Sequence, residues 1–391
     1  MSGARSIGMK FSYASLISYS LALGLFAGLV TTGFVFIIEE VQRLLWTNLP
    51  NYLGLSIKGS FLPILVCGIG GVVLGLLLKK LGSYPPTIEQ ALANFKTTKK
   101  FDYKHIGEAF IISVVSLGFG ASLGPEAALT TIVCGFATLI SIKLKKKALL
   151  RFGSEIDKKL PKYKRNILGI IAGVSGLLVF RLYGSSGYFN LHLNPYTFKF
   201  QDVLLSLIPA FVGIFFGYIY LYSERGLDKI FKSYRKNNIV FSVIIGGLGL
   251  GILASMQPLA IFSGHEGLNS IVAGYSSESA IYFVVLSCIK VIATTLCLAT
   301  GWKGGRFFPI MFIGASAGTA ASVLLPSINP TLALCVGMGA ALSFVLKRPV
   351  VSLVLLMFFF PINLYLPLLV VCFMASYVSK KLTPYLAYYT K

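Results

Sequence analysis

The chain has 391 residues, 55% of them hydrophobic and only 12% charged, with a mean hydropathy of +0.79 and a formal net charge of +22. That balance lies outside the range of soluble globular domains and indicates a polytopic membrane protein. The basic residues sit between apolar stretches and no nucleic-acid-binding motif is present, so positive-inside bias and attraction to anionic lipid account for the charge without nucleic acid.

Arg5 and Lys10 precede an apolar run from Phe11 to Ile38, too long for a signal-peptide core and read as a retained first span. Glu39, Glu40 and Arg43 mark an interface, and Phe61 to Leu78 makes a second apolar stretch ending at Lys79 and Lys80. The break Gly82-Ser83-Tyr84-Pro85-Pro86 follows. Ser83 is expected either to cap its own helix or to turn its hydroxyl toward a bound ion. A polar segment, Asn94 to His105, leads into an apolar run, with His105 and Glu108 expected to be solvated.

The stretch Gly118 to Thr130 then places one carboxylate, Glu126, after a Gly124-Pro125 break and before apolar sequence. An ionisable group at membrane depth is costly and marks a functional site by default. At a helix start it shares its surroundings with backbone N–H groups that attract anions. Between Lys143 and Arg165 ten basic residues face only Glu155 and Asp157, which predicts a cytoplasmic loop in contact with membrane lipid.

Asn166 to Leu182 predicts another span, and the glycine-rich Tyr183 to Asn190 interrupts it. Val203 to Tyr222 predicts a helix, and the charged Ser223 to Lys236 is expected to link two pseudo-repeat halves, 11–222 and 239–378. In the second half, His265 and Glu266 are expected in an aqueous vestibule between spans. Gly301 to Pro309 breaks the chain with glycines before a new apolar helix, Ile310 to Leu325, as the Glu126 stretch does in the first half. Discontinuous helices at corresponding positions of two halves point to a transporter binding site. Thr331 to Leu346 and Val350 to Val378, interrupted at Pro361 and Pro367, complete the membrane part, and 379–391 forms a short tyrosine-rich tail. The six cysteines lie singly in apolar runs and read as small buried residues, with no metal site and no cofactor expected. Three scattered histidines and lone cysteines supply no nucleophile–base pair, so no enzyme is expected. A membrane scaffold would have no need of Glu126.

Three breaks thus stand in one order: Gly82-Ser83-x-x-Pro86, Gly124-Pro125-Glu126 and Gly305-Arg306-Phe307-Phe308-Pro309. Their order and spacing resemble the CLC family of chloride channels and chloride/proton antiporters. The resemblance implies an all-α, inverted-repeat membrane fold and a homodimer with one pore per subunit in the cell membrane. It also implies anion transport, with chloride as the bound substrate. By motif, it makes Ser83 an anion-binding hydroxyl and Glu126 the protonatable gate. The backbone N–H groups of Arg306 and Phe307 become further anion ligands, and Tyr385 the terminal pore tyrosine.

The chain departs from the family pattern in several places. Pro125 stands where a basic residue is usual, Ala127-Ala128 where Gly-Pro is usual, and Arg306 at a position that is usually apolar. Arg306 is expected either to tune anion binding and Glu126 or to pair with a carboxylate and face a water-filled vestibule. The inner glutamate of many antiporters aligns with Asn190 or Leu191, so passive conduction is preferred to proton coupling. Ser83, Arg306 and Phe308 differ from the fluoride/proton antiporters that share the Gly-Pro-Glu motif, which favours chloride over fluoride.

Overall fold

The structure is a computed structural model describing residues 13–389 apart from 99, 153–161, 184–190, 192 and 194. The side chains at 13–16, 141–152, 162–166 and 383–389 stand outside that description. Among the described residues the regular structure is helical, save one isolated antiparallel bridge between Gly124 and Gly305. Among the described residues, seven helical runs are long and apolar enough to cross a membrane. The polytopic all-α fold expected from composition is therefore the observed one.

Helix α1 (Tyr13–Arg43) runs through a π-helical turn, Leu44–Asn48, into α2 (Leu49–Leu53). No glycine or proline interrupts residues 34–49, and the path stops only at Gly54, whose φ of +64° is open to a residue without Cβ. Helices α3 (Leu62–Leu81), α4 (Ile88–Thr98), α5 (Ile106–Gly118) and α6 (Glu126–Phe152) follow, then α7 (Lys162–Tyr183). A single turn, α8 (Asp202–Leu205), precedes α9 (Leu207–Asn237).

Here the structure corrects the sequence reading, because Ser223 to Lys236 is no linker but the last four turns of α9. Its charges are interspersed with Leu227, Ile230 and Phe231, no proline stands before Asn238, and the single Gly226 is carried within the helix. Several of those charges face polar partners inside the protein, as described below.

The second part continues with α10 (Ile239–Met256), α11 (Gly267–Gly274), α12 (Ala280–Thr300), α13 (Phe307–Leu324) and α14 (Pro330–Leu346). It closes with α15 (Pro349–Met357) and α16 (Tyr365–Tyr389). Pro361 does break the chain between α15 and α16, but Pro367 falls in the first turn of α16, where a missing N–H costs nothing. Residues 379–389 of the expected separate tail are helical and continue α16. Of the six free cysteines, Cys288 is exposed on α12 and Cys134 half-buried, while the other four are buried.

Helices α3 and α10 pack antiparallel at backbone distance. A Cβ added at Gly75 would lie 2.9 Å from Val240 Cα, and one at Gly251 would lie 2.4 Å from Ile64 Cα. Small residues permit this approach where lipid offers no hydrophobic drive for association. The pairing gathers Lys79 and Lys80 with Arg235 and Lys236 at one end of the bundle. At the opposite end Ser255 Oγ donates to Ser60 O at 2.7 Å, and Glu39 and Glu266 line one shallow pocket.

Two apolar cores result, one around α9 and α13 to α16, the other around α1, α3, α5, α10 and α12. In the first, α13 and α14 touch so closely that a Cβ at Gly318 would fall 2.2 Å from Ala333 O. Gly318→Val should therefore destabilise the fold by about 1–3 kcal/mol or more through overpacking. The purified protein would show this as a lower unfolding temperature, whereas Gly33→Ala, with open space around its Cβ position, should leave it unchanged or raise it.

Candidate functional site

The site is built where the two cores meet. Helix α5 ends at Gly118, and its last carbonyls are met by side chains from the α1 path. Gln42 Nε2 donates to Leu117 O at 3.0 Å and Trp46 Nε1 to Gly118 O at 3.0 Å. Buried Ser122 hydrogen-bonds Thr294 of α12 at 3.1 Å, fixing the loop from the other side. Pro125 and Glu126 then open α6. The second break is organised likewise, with Lys303 N donating to Ser116 Oγ at 3.0 Å before α13 begins at Phe307.

The two breaks exchange backbone hydrogen bonds: Gly124 N donates to Gly305 O at 2.8 Å and Gly305 N to Gly124 O at 2.6 Å. This pairing sets the carboxylate of Glu126 on the start of α13. Its Oε1 accepts from Phe307 N at 2.8 Å and Phe308 N at 3.1 Å, two of the N–H groups that no helix can satisfy internally. Its Oε2 is buried with no hydrogen-bond partner among the described residues. A Cβ on Gly124 or Gly305 would fall 2.1 or 2.2 Å from Oε2, so both glycines are required for the carboxylate to lie there. The donors that meet it are those of Phe307 and Phe308, one residue along from the pair Arg306 and Phe307 inferred from the motif.

Ser83 stands on a cavity of about 680 Å³ that opens at the basic end of the bundle, with Ala127, Gly305, Arg306 and Phe307 also on its wall. Gly82 precedes it at φ +93°. The capping role considered for Ser83 belongs instead to Thr87: Thr87 Oγ1 accepts from Gln90 N at 3.3 Å while Gln90 Oε1 accepts from Thr87 N at 3.0 Å. This reciprocal box starts α4 just after Pro85 and Pro86, leaving Ser83 outside the helix. Ser83 Oγ accepts from Lys303 Nζ at 2.6 Å.

Arg306 turns its guanidinium to carboxylates, which is the second of its two sequence alternatives. It donates to both oxygens of Glu224 at 2.9 and 3.2 Å and to Glu89 Oε1 at 2.8 Å. Glu224 comes from the supposed linker on α9, as do Asp228 and Arg235, which pair with each other at 2.5 Å. Pro309, in the first turn of α13, is buried. The side chain of Tyr385, the residue Asn190 and residues 153–161 lie outside the described residues, while 143–152 and 162–165, expected in a loop, are the end of α6 and the start of α7. Leu191 packs against the first core.

Elsewhere the structure amends two expectations. His265 is buried, not in an aqueous vestibule; its Nδ1 lies 2.5 Å from Ser263 Oγ and its ring meets Phe308 edge-on. His105 is only partly solvated: it stacks on Tyr84 with centroids 4.3 Å apart and bonds Asp102 at 2.7 Å. Partial burial pushes the Asp102 carboxyl up, but the bonds from His105 and the Lys104 N–H prevail and hold it below its ordinary value.

Sequence reasoning missed four charged residues. Glu224 and Lys303 were passed over inside segments read as linker and glycine break, and Glu89 within a cap. Lys290, midway along α12, is fully buried and donates to the carbonyls of Leu259, Ala260, Ile261 and Phe262 at 2.8–3.2 Å. A lone lysine in an apolar span was the available signal. Among the described residues, no three His, Cys, Asp or Glu gather as a metal site.

Comparison with known proteins bears on the family and the fold. The family model described as voltage gated chloride channel matches residues 159–380. A relative named as an ion-transport protein, YfeO of Escherichia coli O1:K1 / APEC, is 24% identical over 355 residues, covering 83% of each chain. The protein of the same name in Escherichia fergusonii is 23% identical over the same length and coverage. Among solved structures, a slow cyanobacterial Cl⁻/H⁺ antiporter superposes with a TM-score of 0.72 at 18% identity, covering 96% of this chain and 98% of that one. A CLC-type fluoride/proton antiporter gives 0.68 at 17% identity, covering 95% and 97%. The match over more than half of its length, on a fold shared with those structures, makes this chain a member of the voltage-gated chloride channel, or CLC, family.

Proposed function

We propose that the chain exchanges chloride for protons across the cytoplasmic membrane, with Glu126 as the group that both ions contest. The observation that carries the reading is the Glu126 carboxylate lying on the Phe307 and Phe308 N–H groups. An anion would use the same donors, so ionised Glu126 and the anion exclude each other. Protonation removes the charge that holds the side chain there and frees the donors.

The sequence favours passive conduction, because no inner carboxylate aligns at Asn190 or Leu191. Glu224 and Glu89 supply carboxylates that support coupling, since both reach the basic-end cavity and hold Arg306, the residue next to the Phe307 donor. Both solved neighbours are themselves proton antiporters, which supports the same choice. The basic end would be cytoplasmic by the positive-inside rule. The succession of a 31-residue helix, α3, α4, α5 and α6 parallels a second 31-residue helix, α10, α11, α12 and α13, which supports a repeat boundary ahead of α9. Chloride is favoured over fluoride by Ser83, Arg306 and Phe308.

Reconstituted vesicles decide the matter. The wild-type protein should drive protons uphill on a chloride gradient; chloride flux with no proton movement would establish a passive channel, and faster fluoride than chloride flux would reverse the selectivity. Glu126→Gln should abolish proton movement and flatten the pH dependence of chloride flux, and the reading is wrong if both survive unchanged. Glu224→Gln should lower the proton-to-chloride ratio severalfold with a smaller effect on chloride flux.

Gly305→Ala tests the geometry separately. The three atoms nearest its added methyl all belong to the flexible end of Glu126, so it should expel the carboxylate from the α13 start without unfolding the protein. Chloride flux at alkaline pH should rise several-fold toward that of Glu126→Gln, as measured in the same vesicles.

A further inference from the structure

Three cations and three carboxylates line the basic-end cavity: Arg235, Lys303 and Arg306 against Glu89, Glu224 and Asp228. They are not equivalently placed. Arg306 is clamped by Glu224 and Glu89, and Arg235 by Asp228 and the carbonyls of Leu298 and Ala299. Lys303 has no carboxylate within ion-pair distance among the described residues. Its half-buried ammonium makes one side-chain contact, with Ser83 Oγ at 2.6 Å, from a position 220 residues away in the chain. Because an ammonium only donates, Ser83 is the acceptor there, and its own hydroxyl proton has no acceptor among the described residues.

We infer that Lys303 Nζ and the Ser83 hydroxyl together form a charge-bearing subsite for a small monovalent anion of the halide class at the inner mouth of the pathway. The inference rests on the anion-transport reading above and adds to it a residue that the motif resemblance does not supply.

The chemistry fits in both directions. One ammonium proton is directed at Ser83, two remain for an anion, and the hydroxyl of Ser83, which lines the same cavity, can add a third donor. A full positive charge alone would hold an anion too long for transport. Glu89, Glu224 and Asp228 on the same wall offset that charge, so an anion meets a local cation within a cavity whose formal charges balance.

The test uses the full chain, with chloride titrated calorimetrically against isethionate at constant ionic strength. Lys303→Gln keeps a donor for Ser83 Oγ and removes the charge, and should weaken chloride binding about tenfold. Lys303→Arg, which keeps the charge, should stay within about threefold of wild type. Lys232→Gln, an equal loss of charge at an exposed position off the cavity, should change nothing.

A second measurement uses the unaltered protein and is indifferent to the folding of any variant. Saturating chloride should slow acetylation of Lys303 several-fold, read by mass spectrometry, while Lys232 is unaffected. Wild-type chloride affinity in Lys303→Gln, or acetylation of Lys303 indifferent to chloride, would overturn the inference. If the wild type binds and transports chloride while either result appears, the subsite alone fails; if it neither binds nor transports chloride, the underlying reading fails with it.

Discussion

Everything in this protein converges on one carboxylate resting on the first turn of a helix from the other part of the chain. Glu126 opens α6, and the N–H groups it occupies open α13, 181 and 182 residues later. The geometry is held by the reciprocal hydrogen bonds of Gly124 and Gly305, which bring two helix starts together at backbone distance. A side chain at either glycine would occupy the space of the carboxylate. The contact also joins the two apolar cores, with Leu123 and Ala128 belonging to one and Phe307 and Phe308 packed against the other.

The surrounding charges follow from the cost of placing them in an apolar bundle. An unpaired buried charge is expensive, whereas a paired one that is also hydrogen-bonded is tolerated. Arg306 meets that condition with two carboxylates, and Lys290 with four backbone carbonyls that the irregular turn after α10 leaves free. Neither cation is positioned to cancel Glu126 directly, because each is committed to partners of its own. Glu126 therefore meets backbone dipoles in place of a cation. Such a hold is firm enough to seat an anion and weak enough to release it.

Much of this was legible in the chain itself. The breaks at Gly82, Gly124 and Gly305 are local signals, since glycine and proline end or start helices through their own backbone restrictions. They located Glu126, Ser83 and the start of α13 to within a few residues. Reading failed where local appearance and tertiary setting diverged. Ser83 has the look of a cap, but the Thr87–Gln90 pair supplies that function. The charged run after Tyr222 has the composition of a linker, but it contains no proline, and so remains α9. His265 lies in a loop by sequence yet is covered by its neighbours, which hydropathy cannot report.

By itself, then, the sequence determined that the chain is a helical membrane protein, where its helices are interrupted, and that Glu126 is the exceptional acid. Those properties depend on hydrophobic length and on backbone restrictions acting over a few residues. Only the tertiary structure decided which groups meet. Glu126 is seated on Phe307 and Phe308, Arg306 is committed to Glu224 and Glu89, and Lys303 reaches Ser83. Each of these pairings spans between 82 and 220 positions, and a hydrogen bond depends on ångström-scale placement that no local pattern encodes.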